Sequence, residues 1–316
     1  MVRRAPVVTG ADHAAAVGLS EIEQVIGCSL CGEGRMRPLL RPRGPEGRWA
    51  YEVVACPECG LLYRHPGIRP DRLADLYASG YSSFLSGHYE AARRRRYELV
   101  MDAFGRLFAE GGGRRAFDFG CGNGLFLRTA HDRGFEALGV DLSPDSIAEA
   151  RAHPGSRLAW CAAPQEVPEI AAGGFEVVTM WSVLAHLTDP VEDVTMLRTL
   201  LAPEGVLLLL TVNANSLLLR AHRGAWAGFT ENHLKIFGPQ TLPLLFRRAG
   251  FGAAVLRPTY VDDVEAGTVR LAPRDKRRLW RTIERGNRGN TLRAVAFVDP
   301  DGPARWGLET DAIRLA

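Results

Sequence analysis

A doubly wound α/β fold, with a mostly parallel seven-stranded sheet and a small cysteine-rich N-terminal unit, is the fold class this sequence predicts. Three observations predict it. After residue 110, short apolar runs alternate with amphipathic helical segments, the order that winds helices over both faces of a parallel sheet. Residues 206–210 are apolar without a break, as a strand buried on both faces requires. Asp118-Phe-Gly120-Cys-Gly122-Asn-Gly124 places a glycine-rich turn where the first strand ends and a helix opens.

The elements follow in order. Residues 116–119 read as the first strand, 125–133 as a helix closed by Gly134, and 136–140 as the second strand. Ser143-Pro144 and Asp189-Pro190 each combine an N-cap side chain with a proline at the first helical position, so both open helices, the second running to residue 201. Further strands are expected at 157–162, 175–181 and 205–212. Leu242, Leu245, Phe246 and Ala249 line one helix face, and Gly250 stops that helix. Strands at 253–260 and 291–298, separated by a basic helix over 273–285, are expected to pair antiparallel at one sheet edge.

Composition narrows the function. At 46% hydrophobic and 24% charged, the 316-residue chain is excluded from the disordered and collagen-like classes and can bury a large core beside an accessory unit. The charge balance is only +3, from 39 basic and 36 acidic residues, which disfavours nucleic acid as the partner. No apolar run approaches the ~18 residues of a membrane span, so no membrane partner is expected. Residues 1–18 lack the apolar core of a secretory signal, and the expected compartment is the cytoplasm.

In that compartment thiols stay reduced, so the paired cysteines call for a metal. Cys28-Ser-Leu-Cys31 and Cys56-Pro-Glu-Cys59 are two CxxC knuckles, each followed by glycine, at Gly32 and Gly60. Two such turns supply the four thiolates of one structural Zn2+, and the alternating strand-like segment between them gives a zinc-ribbon-like module over 1–65. A helical linker or lid is expected over 66–110. Gly111-Gly-Gly113 then joins it to the sheet domain, 111–316.

The glycine turn carries the chemistry. Its spacing fails the dinucleotide fingerprint, because the positions that need a further glycine, 125 and 127, are both Leu. Asp141, in Leu138-Gly-Val-Asp-Leu142 at the end of the second strand, is placed to accept the ribose hydroxyls of an adenosine cofactor. With these residues the sequence resembles the class I S-adenosylmethionine-dependent methyltransferases, whose cofactor loop reads D-x-G-x-G-x-G, and the likeness covers most of the chain. It looks closest to a small-molecule and natural-product tailoring branch with an N-terminal zinc unit, a tyrosine-bearing linker (Tyr77, Tyr81, Tyr89) and a His-Leu-x-x-Phe motif, here His233-Leu-Lys-Ile-Phe237.

The resemblance implies that Asp118, Gly120, Gly122 and Gly124 hold the methionine part of S-adenosyl-L-methionine, released as S-adenosyl-L-homocysteine. It implies that Asp141 holds the ribose, that Leu142 lies against the adenine, and that Ala162 and Ala163 border it. Two departures stand out. The acid that often follows the third strand is replaced by Cys161-Ala-Ala163, with Glu166 the nearest carboxylate, and the common Glu-His after the fourth strand is Ala185-His186.

Trp181 and Ser182 close the fourth strand, where doubly wound sheets bind ligands, and are expected to wall the cofactor pocket. Tyr81, with His88 and Tyr89, is expected to fold over it as a lid. His233 lies in a polar loop and is the expected general base, or else the anchor of that loop; His186 is either a second pocket histidine or a helix-start cap. Cys121 reads as a small filler in the glycine turn, Cys161 as part of a buried strand.

The expected function is methylation of a small-molecule acceptor, most simply at oxygen, in natural-product or sugar biosynthesis. An in-line transfer would need only alignment and removal of a proton. The alternatives are a zinc-ribbon RNA methyltransferase and a cofactor-binding relative that transfers no methyl, such as a cyclase or a partner-binding protein. Oligomeric state leaves no mark in the sequence.

Overall fold

The computed structural model describes residues 8–9, 23–24, 26–44, 47–48, 51–77, 90–103, 114–258, 281–283 and 285–315. The N-terminal unit contributes β1 (Arg35–Leu40), β2 (Glu52–Ala55) and β3 (Leu62–His65), joined as an antiparallel sheet. Eight strands form the main sheet: β4 (Arg115–Phe119), β5 (Glu136–Val140), β6 (Ala159–Trp160), β7 (Phe175–Trp181), β8 (Leu201–Val212), β10 (Ala253–Pro258), β11 (Thr291–Phe297) and β12 (Ala312–Arg314). The short β9 (Lys235–Ile236) does not join them. It pairs instead with β3, Lys235 opposite Tyr63 and Ile236 opposite Leu62, so the N-terminal sheet takes a strand from late in the chain.

The main sheet runs β6-β5-β4-β7-β8-β11-β10-β12. Its first five strands are parallel, and β11, β10 and β12 add antiparallel pairs. The strand order reverses between β4 and β7, and doubly wound sheets take their ligands at the carboxyl ends of the strands that meet at such a point. All seven expected strands are present. The final short strand β12 is an addition that covers the edge of β10, and β11 lies inside the sheet between β8 and β10.

Alternation along the strands splits the core into two layers. On one face Val178, Met180, Leu207 and Leu209 pack with Val194 and Leu197 of α4 (Pro190–Thr199) and with Leu242, Leu245 and Phe246 of α5 (Thr241–Arg248). Cys28, Cys56 and Tyr63 of the N-terminal unit belong to this same layer. On the other face Val177, Trp181, Val206 and Leu208 pack with Met101 of α1 (Glu90–Ala103), Phe126 of α2 (Leu125–His131) and Ile147 of α3 (Pro144–Arg151).

Local chemistry explains the helix ends. The Ser143 hydroxyl accepts the Ser146 N–H at 3.3 Å, and an Asp189 oxygen accepts the N–H groups of Val191 and Glu192 at 3.2 and 3.0 Å, each before a proline at the first position. α5 ends where Gly250 turns left-handed at φ +83° and lets Phe251 N–H reach the Phe246 carbonyl.

Several boundaries differ from expectation. The third strand shrinks to two residues because Pro154–Ser156 winds a 3-10 turn before it and the chain bends at Cys161 after it. Cys161 is therefore exposed and is not part of a buried strand. α4 stops at Thr199, and β8 begins at Leu201, upstream of the expected 205. Gly67–Ile68, expected in a helical stretch, pairs as a strand with Glu23–Gln24. Among the described residues, no helix is long and apolar enough to cross a membrane. Tyr81, His88, Tyr89 and residues 111–113 lie outside the described residues, as does most of the expected basic helix over 273–285.

Candidate functional site

Between β4 and α2 the chain turns through three glycines with positive φ, Gly120 at +79°, Gly122 at +52° and Gly124 at +74°. L-residues with side chains rarely adopt that geometry. Gly120 and Cys121 N–H groups both donate to the Val140 carbonyl, at 2.8 and 2.9 Å, which ties the turn to the end of β5. A side chain at Gly120 would collide with Val183, and one at Gly124 with Ser156. Cys121 is buried against Gly139, which has no room for a Cβ, so its thiol fills space as expected.

Asp141 completes the turn from the neighbouring strand. Its Oδ2 accepts the Gly122 N–H at 2.8 Å and its Oδ1 accepts the Ser143 N–H at 2.9 Å. Each oxygen keeps a second lone pair, so the carboxylate is oriented and still able to accept hydroxyls. Asp118, 1% exposed, accepts the Thr179 hydroxyl at 2.7 Å. Burial, then the charge of Asp141, pushes the Asp118 carboxyl up to about 7, and burial raises Asp141 as well.

Leu142 is 51% exposed directly after Asp141, an apolar surface beside the polar turn. Ala162 is half-buried and Ala163 exposed after β6. Glu166 is engaged locally, its Oε2 accepting the Ala163 N–H at 3.0 Å, so it shapes that loop's backbone.

At the end of β7, Trp181 is 6% exposed and packs against Tyr97 and Phe126, with ring centroids 4.7 and 5.2 Å away. Its buried indole N–H has no hydrogen-bond partner among the described residues, which is costly unless a ligand or water accepts it. Ser182 holds φ +61°, strained for a residue with a side chain, while its N–H continues the ladder to Leu210. The next residue, Val183, lies against Gly120, so the segment leading to His186 abuts the glycine turn.

The structure brings the two candidate histidines together. Their ring centroids are 4.8 Å apart, nearly edge to face. His233 Nδ1 lies 2.7 Å from the Gly228 carbonyl, which can only accept, so Nδ1 carries the proton and Nε2 is the basic nitrogen. Burial lowers the pKa of both rings, and of His186 to about 3 with His233 adding to the fall, so the pair is neutral near pH 7.

The four knuckle cysteines form a second centre. Their sulfurs all lie within 4.8 Å of one another, with Cys28–Cys59 and Cys31–Cys56 each at 3.5 Å. Tetrahedral thiolates at ~2.3 Å from zinc stand about 3.8 Å apart, so the set fits that ion. The knuckles repeat one geometry: Gly32 N–H donates to Cys28 O, Gly60 N–H to Cys56 O, and both glycines turn left-handed.

Sequence reasoning missed the groups that join these centres. Lys235, 3% exposed, donates from Nζ to the Leu187 and Thr188 carbonyls at 3.0 and 2.8 Å. Burial pushes its ammonium down to about 8, against the negative charges of Asp189 and Asp193. Its signal was available, since Lys235 is one of two lysines in the chain and interrupts an apolar run. The reach of Tyr51 and Arg64 to residues 230 and 231 left no such mark.

The methyltransferase domain family matches residues 91–254, just over half of the chain. Among curated proteins, the ubiquinone biosynthesis O-methyltransferase of Aromatoleum aromaticum is 29% identical over 158 residues, covering 46% of this chain and 66% of that protein. The enzyme of that name from Psychrobacter cryohalolentis is 36% identical over 109 residues, covering 33% of this chain and 42% of that protein. The chain thus spans less than two thirds of the length of these relatives. The crystal structure of a SAM dependent methyltransferase from Archaeoglobus fulgidus matches with TM-score 0.50 at 19% identity, over 69% of this chain and all of that one, a likeness of fold.

Proposed function

This chain belongs to the methyltransferase domain family, and on that premise we propose that it is an S-adenosylmethionine-dependent O-methyltransferase of a small hydroxylated acceptor. The observation that carries the reading is the contact of Gly120 with Val183, which sets the glycine turn beside the short segment that ends at the histidine pair. The curated relatives' names support oxygen as the acceptor atom. They do not single out natural-product or sugar chemistry.

The cofactor would supply an activated methyl on a sulfonium. The chain's part is to hold it and prepare the acceptor. In this reading the side-chain-free glycine turn and Asp118 receive the methionine end, Asp141 accepts from the ribose hydroxyls, and Leu142 with Ala162 and Ala163 borders the base. The Trp181 N–H and strained Ser182 stand at the carboxyl end of β7. His233, neutral and with Nε2 basic, takes the proton of the acceptor hydroxyl as its oxygen becomes nucleophilic. His186 packs beside it and excludes a positive neighbour, since its own pKa is depressed.

Binding should depend on pH with a definite sign. Asp118, raised to about 7, is partly protonated below neutrality, and the cofactor's ammonium prefers it ionised. Affinity for S-adenosylhomocysteine should rise from pH 5.5 to 8, with protons released on binding near pH 6–7. Calorimetry in buffers of different ionisation enthalpy reads both; an affinity that is flat or falls over this range contradicts the site.

The four cysteines are assigned one structural zinc on the fit of their spacing. Metal analysis of purified chain should give one zinc per molecule. Cys56→Ser should lower metal content and loosen the N-terminal sheet while leaving cofactor affinity unchanged, because metal supports the module that it crosslinks. Zinc well below one per chain in the unaltered protein would defeat the assignment.

A further inference from the structure

We propose that Tyr51 and Arg64, from the N-terminal unit, are positioning residues for His233. The inference rests on His233 being the proton acceptor, and it adds a function for the unit beyond holding a metal.

The turn that presents His233 is held at four of its carbonyls. Gly228 O accepts the His233 ring N–H, and Thr230 O accepts the His233 backbone N–H at 3.3 Å. The Tyr51 hydroxyl donates to that same Thr230 carbonyl at 2.8 Å, from a side chain 2% exposed. Arg64, 7% exposed, donates from Nη1 to Glu231 O at 3.1 Å, from its backbone N–H to Leu234 O at 2.8 Å, and from Nε to Pro66 O at 3.0 Å. Its guanidinium lies 4.6 Å over the Tyr51 ring, so the two side chains fix each other.

Packing reinforces the polar contacts. Tyr51 and Val53 share a small core with Trp226, Phe229 and Ile236, which brackets the turn on both sides. On its far side Leu234 N–H donates to Ala185 O at 2.7 Å, next to His186. The histidine pair is therefore assembled between the sheet domain and the N-terminal unit. A displacement of the turn would cost rate without touching the glycine loop, because proton transfer depends steeply on alignment.

Tyr51→Phe removes one hydroxyl and keeps the ring. It should lower kcat about tenfold while acceptor KM, zinc content and affinity for S-adenosylhomocysteine stay unchanged. In a His233→Ala background the same change should have no further effect on kcat. In the 316-residue chain, the His233 imidazole resonances and their titration should move in Tyr51→Phe and in Arg64→Met. A purely structural role would lower the melting temperature and leave kcat and these resonances unmoved. Unchanged His233 resonances in Tyr51→Phe, or an equal loss of kcat with and without His233, overturn the positioning role. Full activity of His233→Ala overturns the base assignment instead, so the two failures are distinct.

Discussion

Replacing His233 with alanine should lower turnover by ~10²–10⁴-fold, the usual cost of losing a general base, with affinity for S-adenosylhomocysteine nearly unchanged. The expectation follows from the ring's tautomer: Nδ1 is committed to the Gly228 carbonyl, so Nε2 is the one nitrogen able to take a proton. It also has a pH signature. Burial lowers the His233 pKa, which keeps the base neutral and moves the acid limb of the rate profile below the usual histidine value. Steady-state kinetics across pH checks both. If His233→Ala loses less than about tenfold while His186→Ala abolishes turnover, the base is the other ring.

Gly120→Val should remove cofactor binding. At φ +79° a β-branched residue pays roughly 1–3 kcal/mol for its backbone alone, and its Cβ would overlap Val183. Relieving that overlap shifts the turn away from the Val140 carbonyl, which holds the N–H groups of Gly120 and Cys121. Calorimetry should show affinity for S-adenosylhomocysteine reduced about 100-fold or more, given that 1.4 kcal/mol is tenfold. Thermal melting serves as a control, since a chain that still unfolds cooperatively has lost the site and kept the sheet. Unchanged affinity in a folded Gly120→Val chain would remove the glycine turn from the binding site.

The legible parts of this fold are the local ones. A strand read from apolar runs, a helix opened by Ser143-Pro144 or Asp189-Pro190, and a glycine turn at a strand end are each set by a few adjacent residues, and all are present. The knuckles were equally local, and their glycines recur as left-handed turns. What escaped were contacts that no periodicity encodes. Tyr51 meets Thr230 across 179 residues of sequence, and the strand that binds the two halves, Lys235–Ile236, is two residues long. A two-residue strand has no alternation to read. Cys161 was misplaced for a related reason: an apolar neighbourhood suggested burial, while the bend after Ala159–Trp160 turns it outward. Lys235 stands out in sequence as one of two lysines, but its role needs the carbonyl partners at 187 and 188, which only the fold brings to it.

On the proposed reading, an activated methyl held at the carboxyl ends of β4 and β7 meets an acceptor oxygen prepared by His233. Incubating the 316-residue chain with methyl-labelled S-adenosylmethionine and a panel of phenols and catechols tests this. Label should appear on an acceptor oxygen with one equivalent of S-adenosylhomocysteine per transfer, and transfer should be lost in Gly120→Val and reduced ~10²–10⁴-fold in His233→Ala. Tight cofactor binding with no transfer to any hydroxyl, or label found on nitrogen or carbon alone, would contradict it.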